Sequence, residues 1–305
     1  NAFSSAGISG LGNEAVTLSD TSLNAAVLNT LDDKTTGIID AGSITTLTGE
    51  ASELNTAFDS SGISNLDDVN VTVDIGTATT AQANDLADET SGIVTATIAE
   101  GDLATLAGLT GTGNAYSITI DDAAVDAAAL NTLDGKTTVA IDAAAVTTLT
   151  GLATDLIEAV TSNGITGLGD EAITVDSGTA TTAQANALAD ETSGIVTAAI
   201  AEGDLTTLAA LNGTGNAYSI TIDDASVDAA ALNTLDAKTT VAIDAAAVTT
   251  LAGAAIDLDN AFSSAGISGL GNEAVTLSDT SLNAAVLNTL DDKTTGIIDA
   301  GSITT

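Results

Sequence analysis

An Asp stands at the polar end of one short apolar segment after another: Asp40, Asp74, Asp121, Asp142, Asp176, Asp223, Asp244 and Asp299, doubled at Asp122 and Asp224. Four more segments carry an acid one place later, at Asp20, Glu100, Glu202 and Asp279. Carboxylates repeated at one structural position can do two kinds of chemistry. Stacked in register about 5 Å apart, they repel one another and recruit cations. Ca²⁺, with its demand for about six to eight oxygens, suits Asp, Asn and backbone carbonyls. Asp40, Asp74, Asp121, Asp122, Asp142, Asp176, Asp223, Asp224 and Asp244 form that candidate Ca²⁺ ladder. Placed just before an Ala-rich helix, the same side chains instead accept from the free N–H groups of its first turn. DDAAVDAAAL and EGDLATL read as such caps. The cap is the stronger reading, because no segment has the spacing of an EF-hand loop or of a glycine-rich Ca²⁺-binding nonapeptide. No cofactor is required; Ca²⁺ is the one ion the pattern admits.

Other chemistry is thinly provided. The chain has no His and no Cys, so general-base and thiol catalysis lack their usual groups. Two carboxylates suffice for glycoside hydrolysis, but an active site needs one pair set apart, and these acids recur equivalently. All four Lys (Lys34, Lys136, Lys238, Lys293) occupy one position in LD-x-KTT, which suits a charge partner for the preceding Asp or for an acid on the next coil. GTGNA and ISGLGNEA lack the Lys of a phosphate-binding loop. The expectation is a protein that is not an enzyme. With 42 Asp and Glu against four Lys, a net charge of -38 excludes nucleic acid and disfavours anionic membranes. A hydrophobic content of 44% nevertheless predicts a folded chain. No apolar run reaches the roughly 18 residues of a membrane span.

The elements that must position these residues repeat at two scales. Residues 260–305 reproduce residues 1–46 letter for letter, giving a 259-residue period, and 71–172 aligns with 173–274 as equivalent 102-residue blocks. A chain that opens without Met and stops within a repeat reads as a window on a longer array. Central residues of the β-favouring segments (Leu18, Ile39, Val73, Ile98, Ile120, Ile141 and their successors) lie 21, 34, 25 and 22 residues apart in a cycle that repeats, with one shortened block of 21 and 34. Each is flanked by alternating apolar and polar positions, as in a half-buried strand. Ala-rich stretches such as AAVDAAALNTLD and TTAQANDLADETSG follow, with helical spacing and no Pro.

The fold read from this is an α/β repeat solenoid: about twelve stacked coils running continuously over 1–305, each with one short parallel strand and one short helix or helix-like arc. A β-helix with little helix is the alternative. Strands about 4.8 Å apart would advance one period by about 48 Å. The 34-residue coils, with Leu152–Ala172 as the example, are expected to bulge from one side.

The run of strand, ADETSG-like turn and TTL or LNTLD helix resembles the repeats of giant acidic bacterial cell-surface proteins of the marine-cyanobacterial type, and of adhesins and surface layers. The resemblance implies an exported, extended protein at the cell surface, lengthened by duplication. The functional expectation is therefore an extracellular structural protein, a repeat segment of a filament, stalk or surface layer. The alternative is a calcium-dependent adhesin module that binds glycans or surfaces. Expected partners are further copies of itself end to end, divalent cations or cell-surface polysaccharide.

Overall fold

In a computed structural model, described for residues 12–304, short parallel strands alternate with helices along the described residues. The helices are α1 (Ala25–Asp32), α2 (Ala51–Asp59), α3 (Thr80–Glu89), α4 (Leu103–Leu106), α5 (Ala127–Asp134), α6 (Ala153–Thr161), α7 (Thr182–Glu191), α8 (Leu205–Leu208), α9 (Ala229–Asp236), α10 (Ala255–Ser263) and α11 (Ala284–Asp291). Their starts recur after 26, 29, 23 and 24 residues, so four helix-bearing turns fill each block. The faces they bury follow three-residue spacing: Ala25 and Leu28; Ala51, Leu54 and Ala57; Thr80, Ala83 and Leu86. Thr79 with Gln82, and Thr181 with Gln184, close capping boxes that start α3 and α7.

The chain forms two compact units. The first holds residues up to Val125 together with Ala129–Val146 and Ser162–Gly167. In it, Ser22–Asn24, Thr46–Gly49, Asn70–Val73, Val94–Thr97 and Ala115–Ser117 pair in that order, all parallel. The register sets Leu23, Leu47, Val71 and Val94 in one row. A second ladder aligns Val16, Ile39 and Ile63. The second unit holds Asp126–Ala128, Thr147–Thr161 and Leu168 onward. There Thr148–Gly151, Ala172–Val175, Val196–Ala199 and Ala217–Ser219 pair in order, with Leu149, Ile173 and Val196 in one row. Ser226–Asp228, Thr250–Gly253, Ala274–Leu277 and Ile298–Asp299 do the same, through Val227, Leu251, Val275 and Ile298. The buried rows are Ile, Leu, Val and Ala, with Tyr116 and Tyr218 the largest side chains fully enclosed.

Parallel sheets alternating with helices are thus an α/β repeat arrangement, but a turn of the chain differs from the expectation of one strand per coil. Most turns carry two short strands either side of a bend, where Ile44 N–H donates to Ala41 O and Val146 N–H to Ala143 O. The 34-residue interval contains no bulge. From Ile39 to Val73 the chain makes all of α2 and then Ile63–Ser64, which pairs with Ile39–Asp40. Residues 152–172 likewise supply α6 and Ile165–Thr166, the latter paired with Ile141–Asp142. The return after α3 is tied by Thr90, whose hydroxyl donates to Val69 O at 2.7 Å. Gly92 follows because a Cβ there would collide with that same carbonyl.

Candidate functional site

The carboxylates singled out by sequence separate into three environments. Asp40, Asp142 and Asp244 each accept from the N–H two residues on, at 3.1, 3.1 and 3.0 Å, so they cap the bend between two strands rather than a helix. Asn65 Nδ2 also donates to Asp40 Oδ1 at 2.7 Å, and these bonds, Asn65's first, hold the Asp40 carboxyl below its ordinary 3.8. Their ladder neighbours are hydroxyls: Thr17 and Ser64 flank Asp40, Thr119 and Thr166 flank Asp142, and Thr221 and Ser268 flank Asp244. The structure therefore does not bring these three together in one acidic column.

Asp74, Asp176, Asp121 and Asp223 are exposed. The last two lie against Gly101 and Gly203, where any Cβ would collide with them.

Asp122 and Asp224 cap helices, as the sequence suggested, but the helices belong to the preceding turn of the chain. Leu103 N–H donates to Asp122 Oδ2 and Leu205 N–H to Asp224 Oδ2, both at 2.7 Å. The same cross-turn arrangement joins Thr80 N–H to Glu100 at 3.0 Å, Thr182 N–H to Glu202 at 2.9 Å and Ala255 N–H to Asp279 at 2.7 Å. Local caps come from other residues. Asp102 and Asp204 accept from Thr105 and Thr207 N–H, which lowers both carboxyls below their ordinary range. Among the described residues no group of three or more His, Cys, Asp or Glu is placed to hold a metal ion.

Sequence reasoning missed two buried acids. Glu171 and Glu273 are fully enclosed. Gly169 and Asp170 N–H donate to Glu171 Oε1 at 2.6 and 3.4 Å, and Gly271 and Asn272 N–H to Glu273 Oε2 at 2.7 and 3.1 Å. The other oxygen of each has no partner. The one available signal was that Val69 occupies the same position one block earlier.

An acidic cleft of about 320 Å³ lies between α2 and α3, lined by Asn55, Asp59, Asp85, Asp88 and Glu89. It does not belong to the repeat, since Ile157, Thr161 and Ala187 stand where the next block would need Asn55, Asp59 and Asp85. Lys293 pairs with Asp259 of the preceding helix at 3.7 Å and donates to Ser263 Oγ at 2.7 Å, a cross-turn pairing, but with the preceding coil rather than with the preceding Asp or the next coil.

Fold and sites together define the class as an acidic α/β repeat protein whose polar groups mostly serve the joins between successive turns. No protein-family model, curated protein or solved structure matches the chain.

Proposed function

We propose that this chain is a structural segment of an extracellular filament, stalk or surface layer, built as a solenoid that lengthens by whole 259-residue periods. What carries the reading is that the duplicated ends form equivalent elements. Residues 25–32 and 284–291 are the same helix, and Ile39–Asp40 and Ile298–Asp299 the same strand, so the register of one period can run into the next. Cross-turn caps support it as well, because those of α3, α4, α7, α8 and α10 each bond a helix start to the following turn. Net charge of -38 keeps neighbouring fibres apart. In this reading the chain performs no catalysis; its product is length.

The test is a chain carrying one additional 259-residue period. A solenoid gains about 48 Å in its longest dimension at constant cross-section. Growth in all dimensions, as for a globule whose radius rises slowly with length, overturns the proposal.

A further inference from the structure

Two Asn–Gly dipeptides stand in this chain, Asn163–Gly164 and Asn212–Gly213, and the structure holds them in opposite circumstances. The pair is chemically distinctive because glycine, with no Cβ, leaves its peptide nitrogen open to attack the preceding Asn side chain. Residues 162–164 form the return between α6 and Ile165–Thr166. Gly164 is required there, since a Cβ on it would collide with the Asp134 carboxylate. Its N–H donates to Ser162 Oγ at 3.0 Å, and Ser162 Oγ donates to Asp134 Oδ2 at 2.8 Å. Its carbonyl accepts from Ile141 N–H at 2.8 Å, which ties the return to the ladder. The same bonds recur at Ser60, Gly62 and Asp32 and at Ser264, Gly266 and Asp236. Between each Ser and Gly, however, stand Ser61 and Ala265, so the return asks nothing of the side chain at this position. Asn163 is exposed, and its carboxamide has no hydrogen-bond partner among the described residues. Asn212 is placed otherwise. Its backbone N–H donates to Asn186 Oδ1 at 2.9 Å, its Nδ2 donates to Asp190 Oδ1 at 3.2 Å, and its Oδ1 is buried. Both anchors lie on α7, so this carboxamide reaches Gly213 N only by breaking its bond to Asp190.

We propose that Asn163 is a site of self-modification, deamidated with the help of Ser162 and Asp134. Gly164 N attacks Asn163 Cγ as its proton passes to Ser162 Oγ and the serine's own proton to Asp134, the relay of a general base. The new N–Cγ bond closes a succinimide. The Cγ–Nδ2 bond breaks, and the amide nitrogen leaves as ammonia with the proton that Asp134 received. Water then opens the ring at either carbonyl, leaving Asp or isoaspartate at position 163. Both products add a negative charge to the return that Asp134 holds. Isoaspartate also inserts a methylene into the main chain just ahead of the Gly164 carbonyl, the acceptor for Ile141 N–H. The modification therefore falls on a hydrogen bond that joins two turns, at one of the three described returns.

The test is incubation of the full chain in warm neutral buffer, followed by peptide mapping with tandem mass spectrometry and by enzymatic methylation of isoaspartate. Asn163 is expected to convert while Asn212 stays an amide. Conversion of both at similar rates, of Asn212 first, or of neither refutes the proposal, and this comparison needs no variant. Asn163→Ser, which installs the residue found at position 61, should abolish the isoaspartate signal and keep the fold. Ser162→Ala interrupts the relay and is expected to slow conversion by about tenfold or more, since a positioned general base contributes about 10²–10⁴. Ser162→Thr retains a hydroxyl and should restore the rate. Circular dichroism verifies that each variant is folded. Conversion as fast in folded Ser162→Ala as in the unaltered chain overturns the assignment.

Discussion

The two tyrosines give the sharpest measure of how tightly the rows of small side chains enclose what lies between them. Tyr116 and Tyr218 are fully buried, and each hydroxyl donates to a backbone carbonyl, Ala83 O and Ala185 O, at 3.4 Å. Burial, reinforced by the nearby charges of Asp88 and Asp190, pushes both phenols up from 10.0 to about 12. A raised phenol favours the folded state only while it stays neutral. That contribution is whole below pH 10, shrinks as the unfolded chain ionises, and is gone once pH passes the folded value. Two units correspond to about 2.7 kcal/mol per tyrosine, of which about 1.4 kcal/mol is already lost near pH 11. The assay is direct because the chain has two Tyr and no Trp, so near-ultraviolet tyrosinate absorbance reports these side chains alone. Absorbance and far-ultraviolet circular dichroism should change together, well above pH 10. Tyr116→Phe leaves the signal of Tyr218, in the other compact unit, to be followed by itself. Ionisation of both phenols near pH 10 with the backbone signal intact would show that water reaches the rings and would refute the packing argument.

Removing a cross-turn cap, Asp122→Ala, should lower stability by about 0.5–2 kcal/mol in urea titration, with Asp122→Asn milder because an acceptor oxygen remains for Leu103 N–H. Glu171→Val should hold or raise stability, by up to about 1–3 kcal/mol. The orphaned carboxylate oxygen disappears, Val69 already fills the equivalent site, and the exposed Gly169 and Asp170 can turn their N–H groups to water; a clear drop in the urea midpoint would contradict this. Acidification from neutral pH should first raise the melting temperature as repulsion among the excess acids falls. Below the ordinary carboxylate value of 3.8 it should fall, because Asp40, Asp102 and Asp204 are held low by native hydrogen bonds whose benefit exists only while they are ionised. Added salt at neutral pH should also raise the melting temperature, since the Debye length shrinks to about 10 Å at 0.1 M. Chelation of divalent cations should leave the circular dichroism unchanged, and unfolding on addition of EDTA would support the Ca²⁺ ladder.

Much of the fold was legible because the chain writes it repeatedly. Ala-rich stretches with apolar residues three apart became α1, α3 and α5, and alternating VTV and TAT segments became strands. Ile63–Ser64 was not legible, because two ladder residues between turns leave no alternation to read. Its omission created the false 34-residue coil. Helix caps were anticipated in type but misplaced in connection. Asp122 and Leu103 are nineteen positions apart, and their meeting depends on a turn length that no local pattern states.

The sequence by itself determined the repeat, its 259-residue period, the order of strand and helix, the acid at each strand end and the net charge of -38. All of these are properties of composition and spacing along one chain. Only the tertiary structure decided which ladder each strand joins, which turn of the chain each carboxylate caps, and that Glu171 and Glu273 are enclosed. It also decided that Leu28 is fully buried while its duplicate Leu287 is half-buried. The physical reason is that burial belongs to a residue's neighbours, and identical residues with different neighbours are different surfaces.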